Sequence, residues 1–315
     1  MNPPESARRL QLPPWLLYAI TAAVCWGIWG VLAKGPSREL SGWMTQVLFT
    51  FALIPSAILA CRSKQVGVGT NKLRGLFWGL VSGLIAGTGD LCFYLALQSG
   101  ADTAISIPLI SLYPLITLSI AFCWFKERLN LVQGAGILLA LAAITLLSGG
   151  ATSLNQPLDL LHRISLTPWM LYALGAMVCA GVFTATQKLS TNHISAEMSY
   201  LAWCSAFIPI ALWIVATRPL NWNMPSAMVW SALAAGALNG FGVIASFAAY
   251  RYGGKAAIVA PLTAALQPIV TVMLALLFLG ERVGLIAGCG IVLAIGAAVA
   301  LSQETQKAAV SQKQI

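Results

Sequence analysis

Charge is what this chain has least of. Only 9% of its 315 residues are Asp, Glu, Lys or Arg, where a water-soluble domain carries roughly 25%. In water such a fold would expose a vast apolar exterior, so lipid is the solvent that fits. Histidine is scarcer still: His162 and His193 fall in different loops. The nine acids also lie mostly in loops. No nucleophile–base pair, paired carboxylates or C-x-x-C spacing emerges, so an enzyme, a metal site and a cofactor are not expected. No G-x-x-x-x-G-K-[ST] occurs, which disfavours ATP-driven pumping. The net charge of +9 is spread in small groups at the ends of apolar runs. That pattern points to lipid and topology rather than nucleic acid.

Apolar length is what the chain has in plenty, with 58% hydrophobic residues and a mean hydropathy of +0.81. A helix crosses a bilayer with about 20 apolar residues. Ten spans are predicted, at about 15–33, 42–61, 73–98, 102–125, 131–148, 168–188, 197–216, 227–250, 255–279 and 283–302. Arg8 and Arg9 precede the first run, but that run is too long for a signal peptide and reads as an uncleaved span. The seven cysteines lie almost all inside spans and read as small hydrophobes. With the N-terminus inside, the inner segments hold 13 Lys and Arg and the outer segments 5. The positive-inside rule then sets both termini in the cytoplasm of a bacterial inner membrane.

An internal repeat organises the spans. Pro14-Trp15-Leu16-Leu17-Tyr18-Ala19 returns as Pro168-Trp169-Met170-Leu171-Tyr172-Ala173, an offset of 154. The same offset aligns Gly27 with Gly181, Lys34 with Lys188, Pro114 with Pro268 and Glu127-Arg128 with Glu281-Arg282. Pro108 pairs with Pro261 one residue short of it. The expected organisation is a first repeat over 1–148, a linker over 149–167, a second repeat over 168–302 and a cytoplasmic tail over 303–315. Five spans per repeat is odd, so the second copy enters the membrane from the other side. The predicted fold is an all-α membrane protein of ten transmembrane helices in two five-helix inverted-topology repeats, a construction that lets two halves rock around a central site.

Several motifs, from Trp26-Gly27 to the last repeat, carry a family resemblance. They include Gly89-Asp90-Leu91-Cys92-Phe93-Tyr94, Pro108-Leu109-Ile110-Ser111-Leu112-Tyr113-Pro114, Phe125-Lys126-Glu127-Arg128, Gln267-Pro268 and Leu279-Gly280-Glu281-Arg282. In these the chain resembles the EamA branch of the drug/metabolite transporter superfamily, over nearly its whole length. The resemblance implies ten helices, secondary transport, and export of amino acids or other metabolites.

Polar residues inside spans are costly and become the site candidates. Asp90 lies well inside the third span. It reads either as a proton or cation site coupled to transport or as a protonated or hydrogen-bonded acid tying helices together. Pro108 and Pro114, matched by Pro261 and Pro268, are predicted to interrupt the fourth and ninth spans and free backbone carbonyls near a binding site. Ser111, Tyr113, Thr263 and Gln267 flank them, and Trp26, Trp29, Tyr94 and Asn239 complete a mixed aromatic and polar lining. Lys34 with Glu281 outside, and Lys188 with Glu127 inside, are candidate gates, with helix-end ion pairing the plainer reading. The small-residue rows Gly79–Gly83–Gly87, Gly236–Gly240 and Gly284–Gly288 read as packing faces.

The expected partners are the bilayer and a small-molecule substrate, in a monomer or homodimer. A sugar or nucleotide-sugar carrier is the alternative within the superfamily. The spans lack basic residues near their centres, so a neutral or zwitterionic solute fits better. A channel or an integral-membrane enzyme is the reading from another class.

Overall fold

The structure is a computed structural model and describes residues 13–116, 119, 131–147, 167–254 and 256–301. The gate candidate Glu127, the tail over 303–315 and the expected linker, save Thr167, lie outside the described residues.

Regular structure among the described residues is helical, apart from one bridge between Gly69 and Ile194. In chain order the α-helices are α1 (Pro14–Lys34), α2 (Gly42–Ala52), α3 (Ile54–Cys61), α4 (Lys72–Gln98), α5 (Thr103–Ile110) and α6 (Leu131–Leu147), then α7 (Pro168–Thr191), α8 (Ala196–Ser205), α9 (Phe207–Thr217), α10 (Ser226–Arg251), α11 (Ala256–Leu274) and α12 (Leu285–Leu301). Seven helical stretches are long and apolar enough to cross a membrane, with shorter apolar helices at Thr103–Ile116, Leu131–Leu147 and Leu285–Leu301. The burial pattern suits lipid. Leu138, Leu212, Trp230, Leu277 and Phe278 are exposed, whereas Gln46, Gln187, Ser190, Ser199, Asn239 and Ser246 are buried. Polar groups turn inward, away from lipid, and apolar ones turn outward.

Local chemistry repeats with the sequence. Ser41 Oγ accepts from the Met44 amide at 3.1 Å and starts α2; Ser195 Oγ accepts from the Met198 amide at 3.2 Å and starts α8. Such caps satisfy amides that a helix start leaves free. The α2–α3 segment breaks at Leu53 and the α8–α9 segment at Ala206, shortly before Pro55 and Pro209. Proline cannot donate to the preceding turn, so the ladder gives way there.

The expected matching breaks at the other prolines are not what the structure has. In the fourth span α5 ends at Ile110. The Leu112 amide bonds Leu109, and Tyr113 bonds Ile110 at 3.0 Å, a three-residue spacing. Pro114 pushes the residue before it away from helical geometry. In the ninth span α11 stays helical through Pro261 and Pro268 to Leu274, then widens into a π turn over Ala275–Leu279, ended by Gly280 at φ +65°. The matched interruptions therefore sit in the second and seventh spans, and the proline pairs of the fourth and ninth act differently.

The halves pack as an exchanged pair. α1 lies against α10 and α11 of the second half; α7 lies against α4 and α5 of the first. α2 packs on α10 as α8 packs on α4, and α6 packs on α12. Gly79, Gly83 and Gly87 seat α8 and α9: a Cβ on Gly83 would stand 2.3 Å from the Trp203 carbonyl oxygen. Gly236 and Gly240 seat α2 and α3 likewise. The Gly284–Gly288 row does not behave so. Only Val283 lies near a Cβ on Gly288 among the described residues, and the close approach between α6 and α12 uses Gly136 and Gly290 instead.

The ends of α4 locate the two lysines. Lys34 Nζ bonds the Ala101 carbonyl, just past the C-terminus of α4. Ser190, two residues beyond Lys188, donates to the Gly75 carbonyl near its N-terminus, at 2.9 Å. A helix of 27 residues separates its ends by about 40 Å.

Candidate functional site

Helical spacing brings the candidate residues onto common faces. α1 presents Trp26 and Trp29; α4 presents Ala86, Gly89, Asp90 and Phe93. α7 contributes Ala176, Cys179, Ala180, Phe183, Thr184 and Gln187, and α10 contributes Asn239, Val243, Ser246 and Tyr250. These are steps of three and four residues, which place side chains in one stripe. Ile107, Ile110, Ser111 and Tyr113 from the fourth span, Trp203 from α8, and Thr263 and Gln267 from α11 close the ring. The space between these residues, the part open to solvent included, is about 840 Å³.

Of the candidates, Trp26, Trp29, Asp90, Ser111, Tyr113, Asn239, Thr263 and Gln267 all line this cavity. Tyr94 does not. It is buried one layer behind, where its hydroxyl accepts from Trp29 Nε1 at 3.2 Å and fixes the indole. Phe93 backs the same indole at 4.9 Å between ring centroids.

Asp90 is the only acid on the wall, and no Lys, Arg or His lines it, among the described residues. Asn239 Nδ2 donates to Asp90 Oδ2 at 3.4 Å, a contact between the two halves. Tyr113 Oη donates to the Ala260 carbonyl at 3.0 Å and lies 3.2 Å from Thr263 Oγ1, joining the fourth span to α11. Ser246 Oγ donates to Gln187 Oε1 at 3.1 Å. Gln187 Nε2 and Trp203 Nε1 are buried donors with no partner among the described residues. The described residues contain no group of three or more His, Cys, Asp or Glu able to hold a metal ion. The wall suits an amphipathic solute: aromatic surfaces for an apolar body and a few polar groups for its ends.

Pro108, Pro114 and Pro268 stand around this wall rather than on it. Pro108 and Pro114 flank the lining residues of the fourth span, and Pro261 and Pro268 those of α11.

Two of the gate candidates, Lys34 and Glu281, gather at one short segment. Glu281 accepts from the Thr103 amide at 3.0 Å and the Ala104 amide at 2.8 Å, capping α5 from the other half of the chain. Lys34 Nζ bonds Ala101 and lies 3.9 Å from Asp102 Oδ1. Lys34 and Glu281 thus hold residues 101–104 between them, but the ion pair of Lys34 is with Asp102. At the other end Lys188 Nζ stands 5.7 Å from the Tyr250 ring centroid.

Several lining residues escaped the sequence reading. The repeat carried their signal: adding 154 to Trp26 and Trp29 gives Ala180 and Phe183, and adding 153 to Phe93 gives Ser246. Gln187 and Trp203 have no polar or lining counterpart, since Ala33 and Phe49 stand at the equivalent positions and are packed in the core.

Comparison with known proteins agrees with this division. The model of the EamA-like transporter family matches residues 13–149 and again 167–303, two stretches offset by the same 154 residues. The uncharacterized protein MJ1333.1 of Methanocaldococcus jannaschii is 28% identical over 133 residues, which are 42% of this chain and 95% of that protein. The relative is thus about one repeat long. One solved crystal structure superposes with a TM-score of 0.60 over 91% of this chain and 94% of its own, at 19% identity. That likeness concerns the fold alone.

Proposed function

Because the chain belongs to the EamA-like transporter family, we propose that it is a secondary transporter that exports or exchanges a small neutral or zwitterionic metabolite, such as an amino acid, by alternating access. The observation that carries this reading is the position of the cavity on the seam between the halves, spanned by the Asn239–Asp90 contact. A solute bound there touches both units whose relative movement would carry it across.

Ten transmembrane helices in two inverted five-helix repeats form the scaffold. The exchanged packing of the halves supports this, as do the positions of Lys34 and Ser190 at opposite ends of α4. Both termini face the cytoplasm of the inner membrane, on the charge bias of 13 against 5. One chain supplies both sides of the cavity, so a monomer suffices as the working unit. Asp90 is the proton-coupling group, an acid held in the membrane interior where it can bind and release a proton during the cycle. Lys34, Asp102 and Glu281 form the outer gate around the start of α5, and Lys188 with Glu127 the inner one. The wall has no basic residue among the described ones, which disfavours a phosphate-bearing nucleotide sugar.

Purified protein in proteoliposomes loaded with isotopically labelled amino acids and related metabolites tests the proposal. Saturable efflux of a subset, altered by a pH gradient, is expected. Non-saturating flux independent of any gradient would point to a channel, and product formation without translocation to an enzyme.

A further inference from the structure

Two donors in the cavity have nothing to donate to among the described residues. Gln187 Nε2 and Trp203 Nε1 are each in residues only 1% exposed, both line the cavity, and neither has a hydrogen-bond partner among the described residues. Leaving a buried donor unpaired is costly, so two in one wall call for an occupant. The indole N–H can only donate. The amide of Gln187 has its oxygen engaged by Ser246 Oγ, which leaves its nitrogen as the free end.

Both donors lie toward the same end of the cavity, away from Asp90. The Trp203 backbone rests on Gly83, and Cys179 rests on Gly89 beside Asp90. Gly83 is seven residues before Asp90 on α4, and Gln187 is eight residues after Cys179 on α7. At 1.5 Å per residue these steps place the donor pair about 10 Å from the Asp90 level along the helices. Between the two poles the wall is mostly aromatic and aliphatic.

We propose that Gln187 and Trp203 form an acceptor-binding subsite, and that the transported solute is elongated and two-ended: an ammonium group at Asp90, an apolar body between, and a carboxylate at the donor pair. This rests on the transporter reading and narrows it. An α-amino acid holds its ammonium and carboxylate on one carbon and reaches only one pole with both. An ω-amino acid reaches both.

A ladder of ω-amino acids from 4-aminobutanoate to 11-aminoundecanoate tests the match, with 1-aminooctane and octanoate as one-ended controls. Affinity is read from the concentration dependence of thermal unfolding of the full chain in nanodiscs. 8-Aminooctanoate is expected to bind best, at least about tenfold more tightly than either control. Trp203→Phe and Gln187→Leu should remove that advantage over 1-aminooctane. Asp90→Asn should weaken 1-aminooctane and spare octanoate. Equal binding along the ladder, no binding by any member, or variants that weaken 1-aminooctane equally would overturn the subsite. The last result would assign both residues to packing, or to holding water only. If the ladder behaves as expected but the chain moves no solute in proteoliposomes, the transporter reading fails and the subsite stands. Transport of a solute with no acceptor group, unaffected by Trp203→Phe, would do the reverse.

Discussion

Gly27 and Val270 occupy touching ground: a Cβ built on the glycine would stand 2.6 Å from the valine Cβ. Gly181 meets Ile116 in the same way, at 2.7 Å, and both residues of this second pair are 154 positions from the first. Each half therefore receives the proline-bearing span of the other against a bare stretch of its own first helix. Gly27→Ala and Gly181→Ala are each expected to destabilise the protein by about 1–3 kcal/mol, the usual cost of overpacking. Gly134→Ala, on α6 where a Cβ meets nothing within 4 Å among the described residues, is expected to be neutral or to stabilise by about 0.5–1 kcal/mol. Unfolding in detergent, compared across the three, checks this.

Asp90 and Asn239 meet across the same seam. Asp90→Asn keeps the shape and the possibility of a hydrogen bond but removes the proton site. Accumulation driven by a pH gradient is expected to fall at least about tenfold, while exchange at equal pH on both sides continues for a solute without an ammonium group. Loss of both activities would make Asp90 a tie between helices rather than a coupling group. Transport assays with and without the gradient separate the outcomes.

Glu281 serves two amides of α5, and hydrogen bonds to a charged acceptor contribute about 1.5–3 kcal/mol. Glu281→Ala is thus expected to cost more stability than Asp102→Asn. Asp102 is about half exposed, and an ion pair in that setting contributes less than about 1 kcal/mol. If Asp102→Asn proves the more damaging, the latch at residues 101–104 is held by charge pairing and not by the cap.

Ser56 Oγ and Tyr200 Oη stand 2.6 Å apart and tie α3 to α8, close to the two matched helix breaks. A double-mutant cycle of Ser56→Ala and Tyr200→Phe is expected to return a coupling of about 0.5–1.5 kcal/mol in unfolding free energy. Additive effects would mean the contact contributes nothing to joining the halves.

Much of this was legible in the sequence because bilayer and repeat leave strong marks. Apolar runs announced the membrane, and an intramembrane Asp90 stood out against its cost. Their aromatic and polar character let Trp26, Trp29 and Asn239 be grouped with it as a lining. In the ninth span tertiary context outweighed the prolines. Pro261 and Pro268 are accommodated within a continuous helix, whereas Pro55 and Pro209 coincide with the matched breaks. Gln187 and Trp203 were illegible for another reason. Nothing local distinguishes a buried donor that finds a partner from one that does not, and only the surrounding helices decide it. Gly284 and Gly288 carried the right spacing for close packing, but their face of α12 is not the one turned to α6.

The account depends above all on two halves that cross the membrane in opposite senses around one cavity. Single cysteines at Lys34 and Lys188, in a chain otherwise free of cysteine, can be labelled in sealed vesicles with a membrane-impermeant maleimide applied from one side and then the other. The account predicts that the two positions react from opposite sides. Reaction of both from the same side would contradict it.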